Sequence, residues 1–145
     1  MDTLINLAFS QIGETEQSIN NIKYNTWYYG RPVNGAEFPW CSVFVSWCAN
    51  QANISQDVIP HTASVYKLRM FFESKGLYYS SSNYYPKRGD ILFKQRDNLN
   101  HVGLVIGITD KGILAVEGNV QNKVVLRAYS LNDKSITGYA SPNYR

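Results

Sequence analysis

The chain has 145 residues, a length that fits one domain with enough residues to bury a two-layer core. Hydrophobic residues make up 44% of the sequence, which excludes a disordered protein. No apolar run approaches the roughly eighteen residues of a membrane span. The net charge is +3 with basic residues scattered along the chain, so we do not expect nucleic-acid binding, which needs clustered positive charge.

Near the N-terminus, apolar side chains recur every three or four residues and predict a first helix over residues 3–12. These side chains are Leu4, Ile5, Ala8 and Ile12. Gly13 is a natural stop for this helix. From Glu14 to Pro39 no period survives, and aromatic and turn-forming residues predict a long loop that leads to Cys41 and forms one wall of a functional site.

The loop and the rest of the chain are rich in aromatic residues. Eleven tyrosines, many of them in adjacent pairs, are more than a small core needs. Rigid amphipathic rings at the rim of a cleft are common where proteins recognise sugars and peptides. We therefore expect substrate contacts from four aromatic residues in this loop or directly after it: Trp27, Tyr28, Phe38 and Trp40.

A cysteine stands at the start of the next helical pattern. Pro39 suits the first turn of a helix, and one buried stripe is predicted after it. The stripe consists of Cys41, Phe44, Val45, Cys48 and Ala52. Free N–H groups and partial positive charge at a helix N-terminus favour a thiolate and can hold an oxyanion, so Cys41 is interpreted as an activated nucleophile.

Cys48 is interpreted as a small buried hydrophobic residue. It follows Cys41 by seven residues, which places the two Cα atoms about 10.5 Å apart in a helix. A disulfide requires a separation below about 7 Å, so the two cysteines are not expected to be bonded.

Beyond this helix, residues 53–60 are interpreted as a connector. Thr62 is predicted to cap a further helix through Val65, Leu68 and Phe72 that ends at Gly76. The remaining sequence has the alternation of β-structure. The predicted strands cover residues 91–93, 101–108, 113–117, 124–129 and 136–140. Helices followed by antiparallel strands predict an α+β domain with the helices on one face of the sheet.

His101 begins one of these strands, in which successive side chains point to opposite faces. His101 shares one face with Gly103, Val105 and Gly107. The other face is apolar and consists of Val102, Leu104, Ile106 and Ile108. The two glycines leave the face of His101 bare. We expect a helix to approach there closely and to bring Cys41 within reach of His101.

The following strand supplies two candidate partners for the imidazole. In a hairpin that places Asn119 opposite His101, Glu117 is the diagonal neighbour of His101. Either side chain can accept the imidazole N–H. Because a glutamate is unfavourable to bury for packing alone, we expect Glu117 to orient the histidine.

Four motifs together resemble a CHAP domain, the cysteine, histidine-dependent amidohydrolase/peptidase family. They are Pro-Trp-Cys41-Ser-Val-Phe-Val-Ser-Trp-Cys, Arg-Gly-Asp90-Ile-Leu-Phe, His101-Val-Gly-Leu-Val-Ile-Gly and Val-Glu117-Gly-Asn119. The resemblance implies a papain-like α+β fold and hydrolysis of an amide bond in bacterial peptidoglycan, as in phage lysins and wall-remodelling enzymes. It also implies that Cys41 is the nucleophile, His101 the base, Glu117 the orienting acid and Asn119 a supporting polar residue.

The sequence departs from the family's pattern in two places. Some members carry a glutamine directly before the cysteine, where this chain has Trp40, so the backbone N–H of Cys41 is the expected oxyanion donor. Others bind calcium in an Asp-rich loop ahead of the cysteine, but no aspartate lies between Asp2 and Cys41. We therefore expect neither a metal nor another cofactor.

Three alternatives differ from a wall hydrolase. A catalytically silent wall-binding module would keep its function after thiol alkylation, and a zinc site of Cys41, Cys48, His61 and His101 would be found by metal analysis. A papain-fold toxin or transferase acting on proteins is the third.

The expected partner is bacterial peptidoglycan, and the expected form is a monomeric catalytic domain over residues 1–145 or a module of a larger protein. The first residues lack the basic patch, apolar run and cleavage site of a secretory signal. Action at the cell wall would therefore depend on another delivery route or on excision from a larger protein.

Overall fold

The computed structural model describes residues 1–145, with helices in the first half of the chain and strands in the second. The helices are α1 (Asp2–Ser10), α2 (Lys23–Tyr29), α3 (Cys41–Gln51) and α4 (Val65–Ser74). The strands are β1 (Tyr78–Ser80), β2 (Ile91–Arg96), β3 (Leu99–Ile108), β4 (Gly112–Val120), β5 (Lys123–Ser130) and β6 (Ile136–Ala140). None of the helices has the length and apolar character that crossing a membrane requires.

The strands form one antiparallel sheet in the order β1-β6-β2-β3-β4-β5. One face of the sheet shares the main core with the helices, and Val102 and Leu104 of β3 point into that core together with Phe44 of α3. The opposite face has a smaller apolar cluster, which includes Val105 and Tyr129. The predicted α+β architecture with helices packed on one face is confirmed.

The segment from 14 to 39 is not a continuous loop, as the sequence had suggested, because it contains α2. Tyr24 is fully buried, and its ring lies 5.0 Å from that of Phe44. The amide of the buried Asn25 donates hydrogen bonds to the carbonyls of Asn20 and Phe38. A helix of only two turns with a polar residue facing the core shows no clear apolar period, which explains the wrong prediction.

Two other elements differ from expectation at their ends or faces. The N-cap of α4 is Ser64, whose hydroxyl accepts the backbone N–H of Lys67, and not Thr62. Helix α3 is buried on nearly all sides, since α1, α2 and α4 surround it on the side away from the sheet. The predicted single buried stripe is therefore too narrow, because most sides of this helix are buried.

The glycines that permit close packing lie at other positions than predicted. A Cβ added to Gly103 would stand 2.6 Å from Cγ of Glu117, so the bare face of β3 accommodates a glutamate and not a helix. A Cβ on Gly118 would stand 2.7 Å from Cβ of Phe44 and 2.8 Å from Cζ3 of Trp40. Gly118 is therefore the residue that lets the start of α3 approach the sheet.

Gly118→Ala should lower the free energy of unfolding by about 1–3 kcal/mol, because the added methyl overpacks the contact between α3 and β4. Urea denaturation of the purified variant measures the effect. Gly107→Ala is the matched control, since its added Cβ would meet only Cδ1 of Leu114 at 3.9 Å. Equal stability of the two variants would contradict the assigned role of Gly118.

Candidate active site

Cys41, His101 and Asn119 line one cleft of about 430 Å³, between the N-terminus of α3 and neighbouring ends of the sheet's strands. Helix α3 brings the cysteine, β3 the histidine and β4 the asparagine. Cys41 is 7% exposed, so its thiol is largely shielded by the scaffold while still bordering the cleft.

The first turn of α3 leaves backbone donors unpaired beside the thiol. Trp40 provides no side-chain cap, and the first hydrogen bond of the helix runs from the N–H of Phe44 to the carbonyl of Trp40 at 2.9 Å. The N–H groups of residues 41–43 have no backbone or side-chain acceptor. Free donors and the positive end of the helix dipole therefore meet at Cys41.

His101 is held by Glu117. Its Nε2 lies 2.9 Å from Oε1 of Glu117, and the histidine side chain is 17% exposed whereas the glutamate is fully buried. A carboxylate only accepts hydrogen bonds, so Nε2 carries the proton and donates it. This fixes the tautomer and leaves Nδ1 as the ring nitrogen available to Cys41.

Burial disfavours charge on both members of the pair, but their mutual interaction outweighs it. For His101, burial lowers the pKa, and hydrogen bonds with Cys41 and Glu117 raise it to a net value of about 9. For Glu117, burial raises the pKa, and the hydrogen bond from His101 together with the imidazolium charge brings it below its usual value. At neutral pH the site therefore holds an imidazolium beside a carboxylate.

The second oxygen of Glu117 is bound by a residue that the sequence analysis did not select. The hydroxyl of Tyr129 donates to Oε2 at 2.5 Å, and Nζ of Lys94 donates to the Tyr129 hydroxyl at 2.8 Å. Burial, followed by the charge of Glu117, raises the pKa of Tyr129, so the phenol remains a donor. A guanidinium nitrogen of Arg127 lies 3.7 Å from Oε1.

The sequence contains a signal that could have identified Tyr129. Tyr129 lies in a predicted strand, and in the structure it is 7% exposed and pairs with Ile113 of β4. A buried tyrosine hydroxyl usually needs a polar partner, and Glu117 is a buried acid on the same face of the neighbouring strand. Lys94 and Arg127 gave no comparable signal.

Asn119 occupies a different position from the one that a regular hairpin predicts. The ladder between β3 and β4 pairs Leu104 with Val116 and Val105 with Ala115, as the proposed register requires. Pairing of β4 with β5 is interrupted between Glu117 and Val120, and Asn119 has a φ of 63°. Asn119 lines the cleft but makes no hydrogen bond to His101, which is bound by Glu117 alone of the two.

The structure does not bring the four predicted aromatic contacts to the cleft. Trp40, a predicted substrate contact, is fully buried, and its indole N–H donates to Glu16 at 2.7 Å, so its ring lies in the core and not at the surface of the cleft. Trp27 packs against His61, and the Tyr28 hydroxyl accepts the N–H of Ala63.

Phe38 likewise packs away from the cleft, with its ring 5.1 Å from that of Tyr29. Of the segment before Cys41, only Pro39 lines the cleft. Aromatic residues pack here among themselves and into the core, and polar residues from the strands and their connecting turns line most of the site.

Cys48 and His61 stand apart from this site. Both cysteines are free, and burial raises the pKa of the Cys48 thiol far above its usual value. No group of three or more His, Cys, Asp and Glu side chains is arranged to hold a metal ion. The four residues of the zinc alternative are therefore not gathered into a ligand set.

The CHAP domain family matches residues 33–119, which cover more than half of the chain and include Cys41, His101, Glu117 and Asn119. The chain belongs to the CHAP domain family.

Two solved structures share the fold. The crystal structure of Ly7917 aligns with a TM-score of 0.60 at 13% sequence identity, and the crystal structure of Ly7917 with the hydrolyzing product of MDP aligns with a TM-score of 0.58 at 12% identity. Each alignment covers 97% of this chain and 62% of the other, so the chain spans less than two thirds of that protein. No curated protein matches the chain. The predicted papain-like CHAP fold is confirmed.

Tyr129→Phe should lower the free energy of unfolding by roughly 1–3 kcal/mol, because it leaves a buried carboxylate oxygen of Glu117 without its donor. Urea denaturation at neutral pH measures the loss. Tyr85→Phe serves as the control, since Tyr85 is 68% exposed. A loss no larger than that of the control would show that the Tyr129 hydroxyl does not stabilise the buried acid.

Proposed function

We propose that the chain is a cysteine peptidase or amidase that hydrolyses an amide bond of bacterial peptidoglycan. The observation that carries the proposal is the fixed His101–Glu117 pair, which borders one cleft with Cys41 at a helix N-terminus. Membership of the CHAP family and a fold shared with a protein whose crystal structure includes the hydrolyzing product of MDP support the substrate class.

In the first step the thiolate of Cys41 attacks the carbonyl carbon of the amide. The N–H of Cys41 and its neighbours at the start of α3 stabilise the tetrahedral oxyanion, because they are unpaired and already oriented. As the carbon–nitrogen bond breaks, Nδ1 of His101 gives its proton to the leaving amine. The products are a free amine and a thioester on Cys41.

The second step removes the acyl group. Nδ1 of His101, now neutral, accepts a proton from water while the water oxygen attacks the thioester carbon. The carbon–sulfur bond breaks, a carboxylic acid is released and Cys41 returns as the thiolate. Because Nε2 is held by Glu117 throughout, the same ring nitrogen acts in both steps.

Glu117 is assigned as the orienting acid and Asn119 as a supporting polar residue of the cleft. Glu117 contacts the imidazole directly, whereas Asn119 borders the space in which substrate must lie. We propose that the catalytic unit lies within residues 1–145 and acts without a cofactor at the bacterial wall, as phage lysins and wall-remodelling enzymes do.

The defining experiment incubates the protein with purified peptidoglycan and analyses the released fragments by mass spectrometry. New amino termini identify the amide that is cut, between the sugar's lactyl group and the stem peptide or within the peptide. Absence of any new amino terminus from walls of several chemotypes would overturn the proposal.

Cys41→Ser should lower the rate of wall hydrolysis by at least roughly a thousandfold, because the alcohol is a much weaker nucleophile in a site built for a thiolate. Cys48→Ser is the matched control and should stay active, since Cys48 lies in the core away from the cleft. Circular dichroism of both variants establishes that they fold. Comparable activity of the Cys41 variant and the unmodified protein would refute the assignment of Cys41 as the nucleophile.

The pH dependence tests the ion pair. The imidazolium of His101 persists below its pKa of about 9, so activity should hold through neutral pH and fall as the pH rises past that value. Glu117→Gln removes the negative charge that favours the imidazolium. The fall of activity on the alkaline side of the pH–rate profile should therefore move to lower pH by about one unit or more. A pH–rate profile measures both.

Asn119→Ala separates the two candidate orienting residues. It should leave the alkaline side of the pH–rate profile unchanged, because Asn119 makes no hydrogen bond to the imidazole. Since Asn119 lines the cleft, its loss should mainly raise KM. If the alkaline side of the profile moves with Asn119→Ala and not with Glu117→Gln, then Asn119 is the residue that orients the imidazole and Glu117 is not.

A further inference from the structure

We infer that the cleft contains a carboxylate-binding subsite formed by Lys94, Arg96 and Arg127. It would select peptidoglycan stems in which the residue next to the scissile amide carries a free carboxylate. The inference rests on the proposed function, because it concerns the substrate of the same cleft.

Three cationic side chains from two separate strands converge on the cleft. The three cations line the cleft together with Cys41 and His101. Lys94 and Arg96 come from β2 and Arg127 from β5, although β3 and β4 lie between these strands in the sheet. Side chains from the two strands nevertheless meet, since Nζ of Lys94 donates to the Tyr129 hydroxyl of β5 at 2.8 Å.

The position of Arg96 is well defined by its backbone. Arg96 pairs with Leu99, and only Asp97 and Asn98 connect β2 to β3. Their φ values are 52° and 66°, which a two-residue turn of type I′ requires. The tight hairpin therefore fixes the backbone from which Arg96 lines the cleft.

Two of the three cations lack an ion-pair partner, although Asp133 shares a neighbouring pocket with them. Elsewhere Lys23, Arg69 and Arg88 each form an ion pair with a carboxylate. Lys94 and Arg96 have no carboxylate oxygen within 4.0 Å.

Arg127 has one acidic neighbour, but that acid is already engaged. Its partner is Glu117 at 3.7 Å, and Glu117 also accepts hydrogen bonds from His101 and Tyr129. Asp97 is the one acid that lines the cleft. Three cations against this one acid give the cleft an excess of positive charge, which attracts anions.

The cations also match the charge of the peptide part of peptidoglycan. Peptide stems of peptidoglycan carry free carboxylates close to their amide bonds, whereas the glycan is largely neutral. Guanidinium groups bind carboxylates through paired, charge-assisted hydrogen bonds. Arg96 and Arg127 together can therefore hold such a group while the neighbouring carbonyl faces Cys41, which converts charge recognition into positioning of the scissile bond.

The test compares two synthetic muropeptides that contain the amide cut in the mass-spectrometric experiment. They are identical except that the residue next to this amide carries a carboxylate in one and a carboxamide in the other. The unmodified protein should favour the carboxylate by roughly tenfold or more in kcat/KM. The preference should weaken as ionic strength rises, because the cations are partly solvated.

Arg96→Gln is the decisive variant, because Arg96 does not touch the His101–Glu117 pair. It should bring the ratio of the two kcat/KM values close to one, mainly through a higher KM for the carboxylate. Lys111→Gln is the matched control: it removes the same charge at the turn between β3 and β4, outside the cleft, and should leave the ratio unchanged.

Equal cleavage of both muropeptides by the unmodified protein would overturn the inference while leaving the proposed function intact. So would an Arg96→Gln variant that loses activity equally on both. Stronger inhibition by poly(glycerol phosphate) than by the carboxylate product, at equal ionic strength, would assign the cations to wall phosphate instead. Cleavage of neither muropeptide nor intact peptidoglycan would refute the proposed function itself.

Discussion

The buried carboxylate of Glu117 is the constraint on which the site depends. A fully buried charge is strongly unfavourable unless it is paired and hydrogen-bonded. Its compensation comes from β3 through His101 and from β5 through Tyr129, and Lys94 of β2 supports the tyrosine. The carboxylate is therefore compensated only while four strands keep their register, so stability of the sheet and orientation of the imidazole have a common origin.

Two glycines on opposite faces of the sheet make this arrangement compatible with a helix. Gly103 leaves room for the Glu117 side chain on one face, and Gly118 leaves room for Phe44 and Trp40 on the other. Because Gly118 directly follows Glu117, the strand that supplies the acid also fixes the start of α3. The cysteine and the histidine are thus positioned by neighbouring residues of β4, although about sixty residues separate them in sequence.

Local sequence patterns were sufficient for part of this site. Strand alternation with a regular hairpin register predicts that Glu117 is close to His101, and the apolar period after Pro39 predicts the helix that begins with Cys41. The lining of the cleft could not be predicted in this way, because Lys94 and Arg127 belong to strands that are neither consecutive nor adjacent. Aromatic composition was misleading for Trp40, since composition does not distinguish a core ring from one at a cleft rim.

Arg127 contacts both the residue that orients the imidazole and the space for substrate. It lines the cleft and also lies 3.7 Å from Oε1 of Glu117. A substrate carboxylate in the cleft would compete with Glu117 for this guanidinium. As Arg127 turned toward the substrate, less of the Glu117 charge would be neutralised, and the substrate would add a second negative charge near His101. Both effects favour the imidazolium, the form that protonates the leaving amine in the proposed mechanism. An anionic substrate would thus strengthen the His101–Glu117 ion pair on which the proposed mechanism depends, whereas a neutral analogue would bind without this gain.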